Sequence, residues 1–129
     1  MAIFEVCQDA IKPIEPTSFG AAQLKERSDL QRLLRDQIDV VAREVLVISE
    51  EFGDWEESRR RIDLLAVDKD GNLVVIELKR TADGGHMDLQ AVRYAAMLST
   101  LTASKAVEIF GQYLQDRDRE GDPEKMLLD

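Results

Sequence analysis

The spacing of apolar positions changes several times along the chain, and each change marks an element. From about Gln23 onward, Leu30, Leu33, Leu34, Ile38 and Val41 recur at helical intervals, with Arg27, Arg32 and Arg35 among the polar positions. This predicts a first helix. Glu44 to Glu51, EVLVISEE, is rich in β-branched residues and predicts a strand, followed by a loop at FGDWEES. Arg61 to Val67 and Leu73 to Lys79 predict two further strands around the turn sequence Asp-Lys-Asp-Gly-Asn. Gly85 to Leu101 returns to a helical period, with Leu89, Val92, Ala96 and Leu101 on one face. Thr102 is the expected N-cap of a last helix reaching about Gln115.

Three segments follow from this pattern. Residues 1–20, with Pro13, Pro16 and Gly20, form an irregular lead-in with room for one short strand. Residues 21–115 carry all the strong periodicity and form the domain. Residues 116–129 are a charged tail with Gly121 and Pro123, expected as a loop or frayed end. Helix, three strands and two helices make an α+β chain with a meander at its centre.

Charged residues interrupt two of the apolar strands. Asp63 follows Ile62, and Glu77 and Lys79 close the run LVVIELK. Charge on a covered sheet face is costly unless it is paired or used. Side chains alternate along a strand, so Glu77 and Lys79 share a face with Leu73 and Val75, and Asp63 shares one with Leu65 and Val67. Whether the two sets meet depends on the turn. A two-residue turn at Asp70-Gly71 pairs Lys69 with Asn72 and sets Asp63 opposite Leu78. A three-residue loop, Lys69-Asp70-Gly71, pairs Asp68 with Asn72 and sets Asp63 opposite Glu77. The sequence favours the second, a type I turn with Gly71 in the left-handed position and a G1 bulge, although Asp-Gly is compatible with either. Two facing carboxylates repel. A divalent cation between them removes the repulsion, and oxygen donors suit Mg²⁺. Such an ion polarises a phosphoryl oxygen and acidifies a bound water, and a lysine beside it serves that water and the charge developing on phosphate.

Composition narrows the setting. A chain of 129 residues supports one domain with a modest core. A single cysteine, Cys7, excludes an internal disulfide and a cysteine-based zinc cluster. Together with the lack of a signal-like start and of any long apolar run, this leads us to expect a cytoplasmic protein with no membrane partner. The net charge of −9 argues against binding nucleic acid through bulk charge. Its distribution is uneven. Residues 1–58 hold 13 acids and 6 bases, and residues 106–129 hold 7 acids and 3 bases, whereas residues 59–105 hold 6 acids and 8 bases. The charged strands lie in the one segment that is not acidic.

Asp63 followed on the next strand by Glu77-Leu78-Lys79 resembles the PD-(D/E)xK nuclease superfamily, with Ile62-Asp63 standing for the usual Pro-Asp. Gln90-Ala91-Val92-Arg93-Tyr94 is similar to the QxxxY element of its NucS-like and RecB-like branch, and Glu26 is similar to the acidic residue of the first helix. The resemblance covers roughly residues 22–101. It implies a restriction-endonuclease-like αβββα core with a central mixed sheet flanked by helices, acting as an Mg²⁺- or Mn²⁺-dependent endonuclease on DNA. Asp63, Glu77 and the Leu78 carbonyl would hold the metal, Lys79 would serve the water, and Glu26 would complete the site. Gln90 would orient Lys79 or touch the DNA backbone, with Tyr94 supporting it. Arg60, Arg61, Arg80 and Arg93, with Tyr94, are the expected nucleic-acid contacts. The final core strand of such folds has no counterpart here. Two expectations follow: further residues or a further domain beyond Asp129, or a sheet edge completed by a partner chain, including a homodimer. The alternative function is a catalytically silent module of the same fold, used for nucleic-acid or protein association. Outside the motif, His86 is expected to cap or face solvent, and Trp55 to anchor its loop.

Overall fold

A computed structural model describes residues 2–53, 61–78 and 87–128. The described residues form two antiparallel sheets and four α-helices, with short π and 3₁₀ turns. Strands β1 (Ile3–Val6) and β2 (Ile11–Ile14) form a hairpin. A π-helical turn, Glu26–Gln31, runs into α1 (Arg32–Asp36) and then a 3₁₀ turn, Ile38–Val40. The main sheet is β3 (Val45–Phe52), β4 (Ile62–Asp68) and β5 (Leu73–Ile76), in that order, with β4 in the middle. Then come α2 (Met87–Leu98), α3 (Ala103–Asp116) and α4 (Pro123–Leu128).

The core is built on β4. Ile62, Leu64, Leu65 and Ala66 are fully buried although they alternate between its two faces, so both faces are covered. Ile48 on β3 and Phe110 on α3 complete the tightest packing. Helix α3 packs on β3 and α2 on β5. A half-buried charge group ties three of these elements together. Both carboxylate oxygens of Glu50 accept from Arg35 Nη1, at 3.1 and 3.2 Å, and Oε2 also accepts from Arg117 Nη1 at 2.9 Å. The Arg117 guanidinium lies 5.5 Å from the centroid of the Tyr113 ring. Burial, and behind it Glu50, push the Tyr113 hydroxyl above its ordinary pKa. Thr102 caps α3 as the sequence predicts, its hydroxyl accepting from the Lys105 amide at 3.3 Å.

Several expectations are corrected. All described strand pairs are antiparallel, so the sheet is not the mixed one expected. The lead-in contains two paired strands rather than irregular chain. The first helix is broken into π, α and 3₁₀ turns, and Val41 faces solvent. One cause is Asp29, whose Oδ2 accepts from the Lys25 amide at 2.8 Å, fixing the start of the π turn and holding its own carboxyl below the usual range. The tail holds α4. Asp122 caps it through the Glu124 amide at 3.1 Å, and Pro123 takes the first helical position, where its missing N–H costs nothing. Finally, α2 turns a different face inward. Tyr94 and Leu98 are buried, while Leu89 and Val92 are exposed. The aromatic pair member buries more area, and its hydroxyl finds a backbone partner, which decides the orientation.

Candidate functional site

The β4–β5 connection fixes the register of the hairpin. The Gly71 amide donates to the Asp68 carbonyl at 3.1 Å, and the Asp68 amide donates to the Asn72 carbonyl at 3.0 Å. Gly71 has φ 79°, the left-handed value a G1 bulge needs. Asp68 braces the turn from within. Its Oδ1 accepts from the amides of Asp70 (2.9 Å) and Asn72 (2.8 Å), and its Oδ2 from the Asn72 side chain at 3.0 Å. The Asn72 side-chain bond first, then these backbone donors, hold the Asp68 carboxyl below the usual range. This is the three-residue loop, and the pairs that follow keep its register: Val67 with Leu73, Leu65 with Val75, Leu64 with Ile76. β5 ends at Ile76; the same register continued by one rung would set Asp63 across from Glu77.

At that rung the ladder gives way to side chains. Asp63 Oδ2 accepts from the Leu78 amide at 2.7 Å. Gln31, 5% exposed at the end of the π turn, donates from Nε2 to the Asp63 carbonyl at 3.2 Å. Tyr94, 3% exposed on α2, donates its hydroxyl to the Arg61 carbonyl at 3.0 Å. Three separate elements therefore fix the short segment Arg61–Asp63. Asp63 and Glu77 are half-buried, and Leu78 is buried. The β3–β4 register, with Glu50 beside Leu64 and Phe52 beside Ile62, sets a third acid, Glu51, across from Asp63. Glu51 has φ 48°, a left-handed conformation unusual for a strand residue.

The other predicted residues divide. Gln90 is half-buried on α2, and Arg61 and Arg93 are exposed. Tyr94 belongs to the core, and its burial argues against the nucleic-acid contact expected of it; the hydroxyl serves the backbone of β4 instead. Glu26 opens the π turn, but its side chain lies outside the described residues, as do Arg60, Lys79, Arg80, Trp55 and His86. Gln31 and Glu51 were not anticipated. Glu51 was legible in principle, since it ends a predicted strand next to the one carrying Asp63, but the β3 register could not be set without a known turn. A bulge between Val47 and Ser49 further displaces it.

The donor types at Asp63, Glu77 and the Leu78 carbonyl are all oxygen, which is the set a hard divalent cation takes. Asp63 commits one oxygen, Oδ2, to the Leu78 amide. Among the described residues, no three His, Cys, Asp or Glu side chains stand close enough together to hold a metal ion. A cleft of about 510 Å³ lies elsewhere, between β3 and α3; Glu50, Glu51, Glu108 and Arg117 line it, and neither Asp63 nor Glu77 does. No helix among the described residues is long and apolar enough to cross a membrane. No protein-family model matches the chain, and neither the curated proteins nor the solved structures searched contain a match.

Proposed function

We propose that this chain is a metal-dependent nuclease domain that hydrolyses DNA phosphodiester bonds. The observation that carries the reading is the β4–β5 register, which runs from Val67–Leu73 to Leu64–Ile76 and, if continued by one rung, would set Asp63 across from Glu77. Two like charges at the end of a central hairpin repel each other unless a cation or another partner offsets them. In this reading Asp63 and Glu77 hold Mg²⁺ or Mn²⁺ with the Leu78 carbonyl. The ion, when bound, supplies Lewis-acid polarisation of the phosphoryl oxygen and a more acidic water.

The chain's own residues do the rest. The Leu78 amide locks the Asp63 carboxylate in place, and the same bond draws the Leu78 backbone toward the site. Tyr94 and Gln31 hold the strand beneath it, so the carboxylate need not be ordered when substrate arrives. Lys79, two residues past Glu77, is assigned to hold the attacking water and to stabilise charge on the phosphate. Glu26 is assigned to the same site, and Gln90 to orienting Lys79 or the DNA backbone. Arg61 and Arg93, with Arg60 and Arg80, are assigned to phosphate contacts. A net charge of −9 means that these contacts must act locally, or with help from another basic surface.

A second reading, a catalytically silent module for nucleic-acid or protein association, is favoured by one feature. Half of the Asp63 carboxylate already has a structural partner in the Leu78 amide. The test is calorimetric titration of Mn²⁺ into the wild type and Asp63→Asn, then plasmid nicking with Mg²⁺ by the wild type and Lys79→Ala. Binding lost in Asp63→Asn, with nicking lost in Lys79→Ala, supports the nuclease. Binding without nicking supports the silent module, and no binding by the wild type sinks the metal site.

A further inference from the structure

The N-terminal hairpin carries five large apolar side chains, and none is covered. Ile3, Phe4, Val6, Ile11 and Ile14 are each 54–75% exposed. The pairing Phe4–Pro13, Val6–Ile11, Glu5–Lys12 and Ile3–Ile14 sorts them by face. Phe4, Val6, Ile11 and Pro13 make one wholly apolar face, and on the other the Glu5–Lys12 pair lies next to the Ile3–Ile14 pair. A lone two-stranded hairpin is marginal in water, whereas three or more strands with an apolar face are not.

Its two edges differ. The Cys7 amide donates to the Ala10 carbonyl at 2.8 Å, so Cys7–Ala10 is a hydrogen-bonded pair. Pairs alternate along an antiparallel ladder, which makes Val6–Ile11 and Phe4–Pro13 the non-bonded pairs. Pro13, with no N–H, fits such a position and blunts the β2 edge. On the β1 edge, the N–H and C=O groups of Phe4 and Val6 point outward, and among the described residues no strand lies beside them.

We propose that β1 pairs antiparallel with β1 of a second copy of this chain. The register that uses strand residues alone joins Phe4 of each copy to Val6 of the other by four backbone hydrogen bonds. A two-fold axis normal to the sheet passes between the two Glu5 residues. The product is a four-stranded sheet with both apolar faces on one side, above the strand number that a stable sheet needs. Pro13 closes both outer edges, so assembly stops at two copies. The shared edge is short, which puts the pairing at the weak end of specific interfaces. The two Glu5 carboxylates face each other across the axis and oppose the pairing.

The test is sedimentation equilibrium of the full chain, in reducing buffer so that Cys7 cannot link copies, from about 1 to 300 µM, a range that reaches weak pairing. The wild type is expected to rise from 14.6 kDa toward twice that mass. Val6→Pro removes only an outward N–H and copies the Pro13 device; it is expected to stay monomeric with an unchanged melting curve. Val6→Ala keeps the N–H and is expected to associate. Glu5→Gln removes the opposed charges and is expected to tighten the dimer several-fold. A wild type that stays at 14.6 kDa overturns the proposal. So does a Val6→Pro that associates like the wild type, or a mass that climbs past two copies. If Val6→Pro fails to fold, Glu5→Gln decides: association unchanged or weakened overturns the proposed register.

Discussion

Asp63 has two jobs in this reading, and two substitutions separate them. Its Oδ2 satisfies the amide of Leu78, a residue only 6% exposed, at 2.7 Å. Asp63→Ala leaves that N–H without an acceptor where water reaches poorly, and a hydrogen bond to a charged group contributes about 1.5–3 kcal/mol. Unfolding entropy of about 2.1 cal/mol/K per residue over 129 residues converts 1 kcal/mol to roughly 4 °C in Tm. Asp63→Ala is therefore expected to melt roughly 6–12 °C below the wild type. Asp63→Asn keeps an oxygen for the Leu78 amide and relieves repulsion from Glu77, so its cost is expected to stay within about 1 kcal/mol, or roughly 4 °C. Both variants are expected to lose Mn²⁺ binding, because the charge is gone in each. Differential scanning calorimetry of the three proteins, with and without Mn²⁺, reads both effects. An Asp63→Ala that melts with the wild type refutes the amide's role. An Asp63→Asn that melts as low as Asp63→Ala refutes the separation of the two jobs, and one that still binds Mn²⁺ refutes the metal role.

Three further outcomes test the supports of this rung. Tyr94→Phe removes the donor to the Arg61 carbonyl and is expected to cost about 1–2 kcal/mol in chemical denaturation, with the slope unchanged; no loss would mean that the hydroxyl does not hold the strand. Gly71→Ala meets no atom within 4 Å, so its cost is conformational alone. At φ 79° this is expected to be about 1 kcal/mol, read as a Tm drop of roughly 4 °C, and a larger drop would show that the turn is crowded rather than strained. Asp68 has a carboxyl pKa below its unfolded value, so its bracing of the turn is complete above the ordinary carboxylate range and is lost as pH falls through the lowered value. Protection of the Asp70 and Asn72 amides, the intrinsic exchange rate at each pH divided by the rate measured by NMR, is expected to fall only on acidification below that range; absent protection at neutral pH would refute the bracing.

The parts of the fold that were legible in the sequence share a cause. At the β4–β5 turn, Lys69-Asp70-Gly71 supplies both the turn type and the one residue suited to a positive φ, and the register follows from counting. Thr102 could be read as a cap for the same local reason. Where local chemistry was silent or double, tertiary packing decided. Helix α2 carries two apolar stripes, and nothing in their spacing says that Tyr94, rather than Leu89 and Val92, faces inward; the Arg61 carbonyl that receives its hydroxyl lies 33 residues away in sequence. The π turn before α1 has no periodic signature at all. It depends on Asp29 competing for the Lys25 amide, and it ends on Gln31, which is buried because it reaches the Asp63 carbonyl. At Asp122-Pro123 the signal was present, a cap followed by the proline that helices favour at their first position, and the surrounding charge concealed it.

The candidate site follows the same division. The acidic pair could be found in the sequence because its members lie 14 residues apart across a turn whose geometry is encoded between them. The groups that hold the Asp63 segment in place could not, because each comes from a distant element and makes a single contact: Gln31 from the π turn and Tyr94 from α2. A site that serves catalysis needs such support, since a carboxylate misplaced by about 1 Å loses much of its effect. The Leu78 amide bond alone would fit a structural aspartate. Two side chains on the backbone of Arg61–Asp63, with the Leu78 amide on the Asp63 carboxylate, are more than a surface carboxylate requires. This convergence ties the stability cost of Asp63→Ala to the function proposed for the same residue, and it is why the asparagine variant, which spares the support and removes the charge, is the more informative of the two.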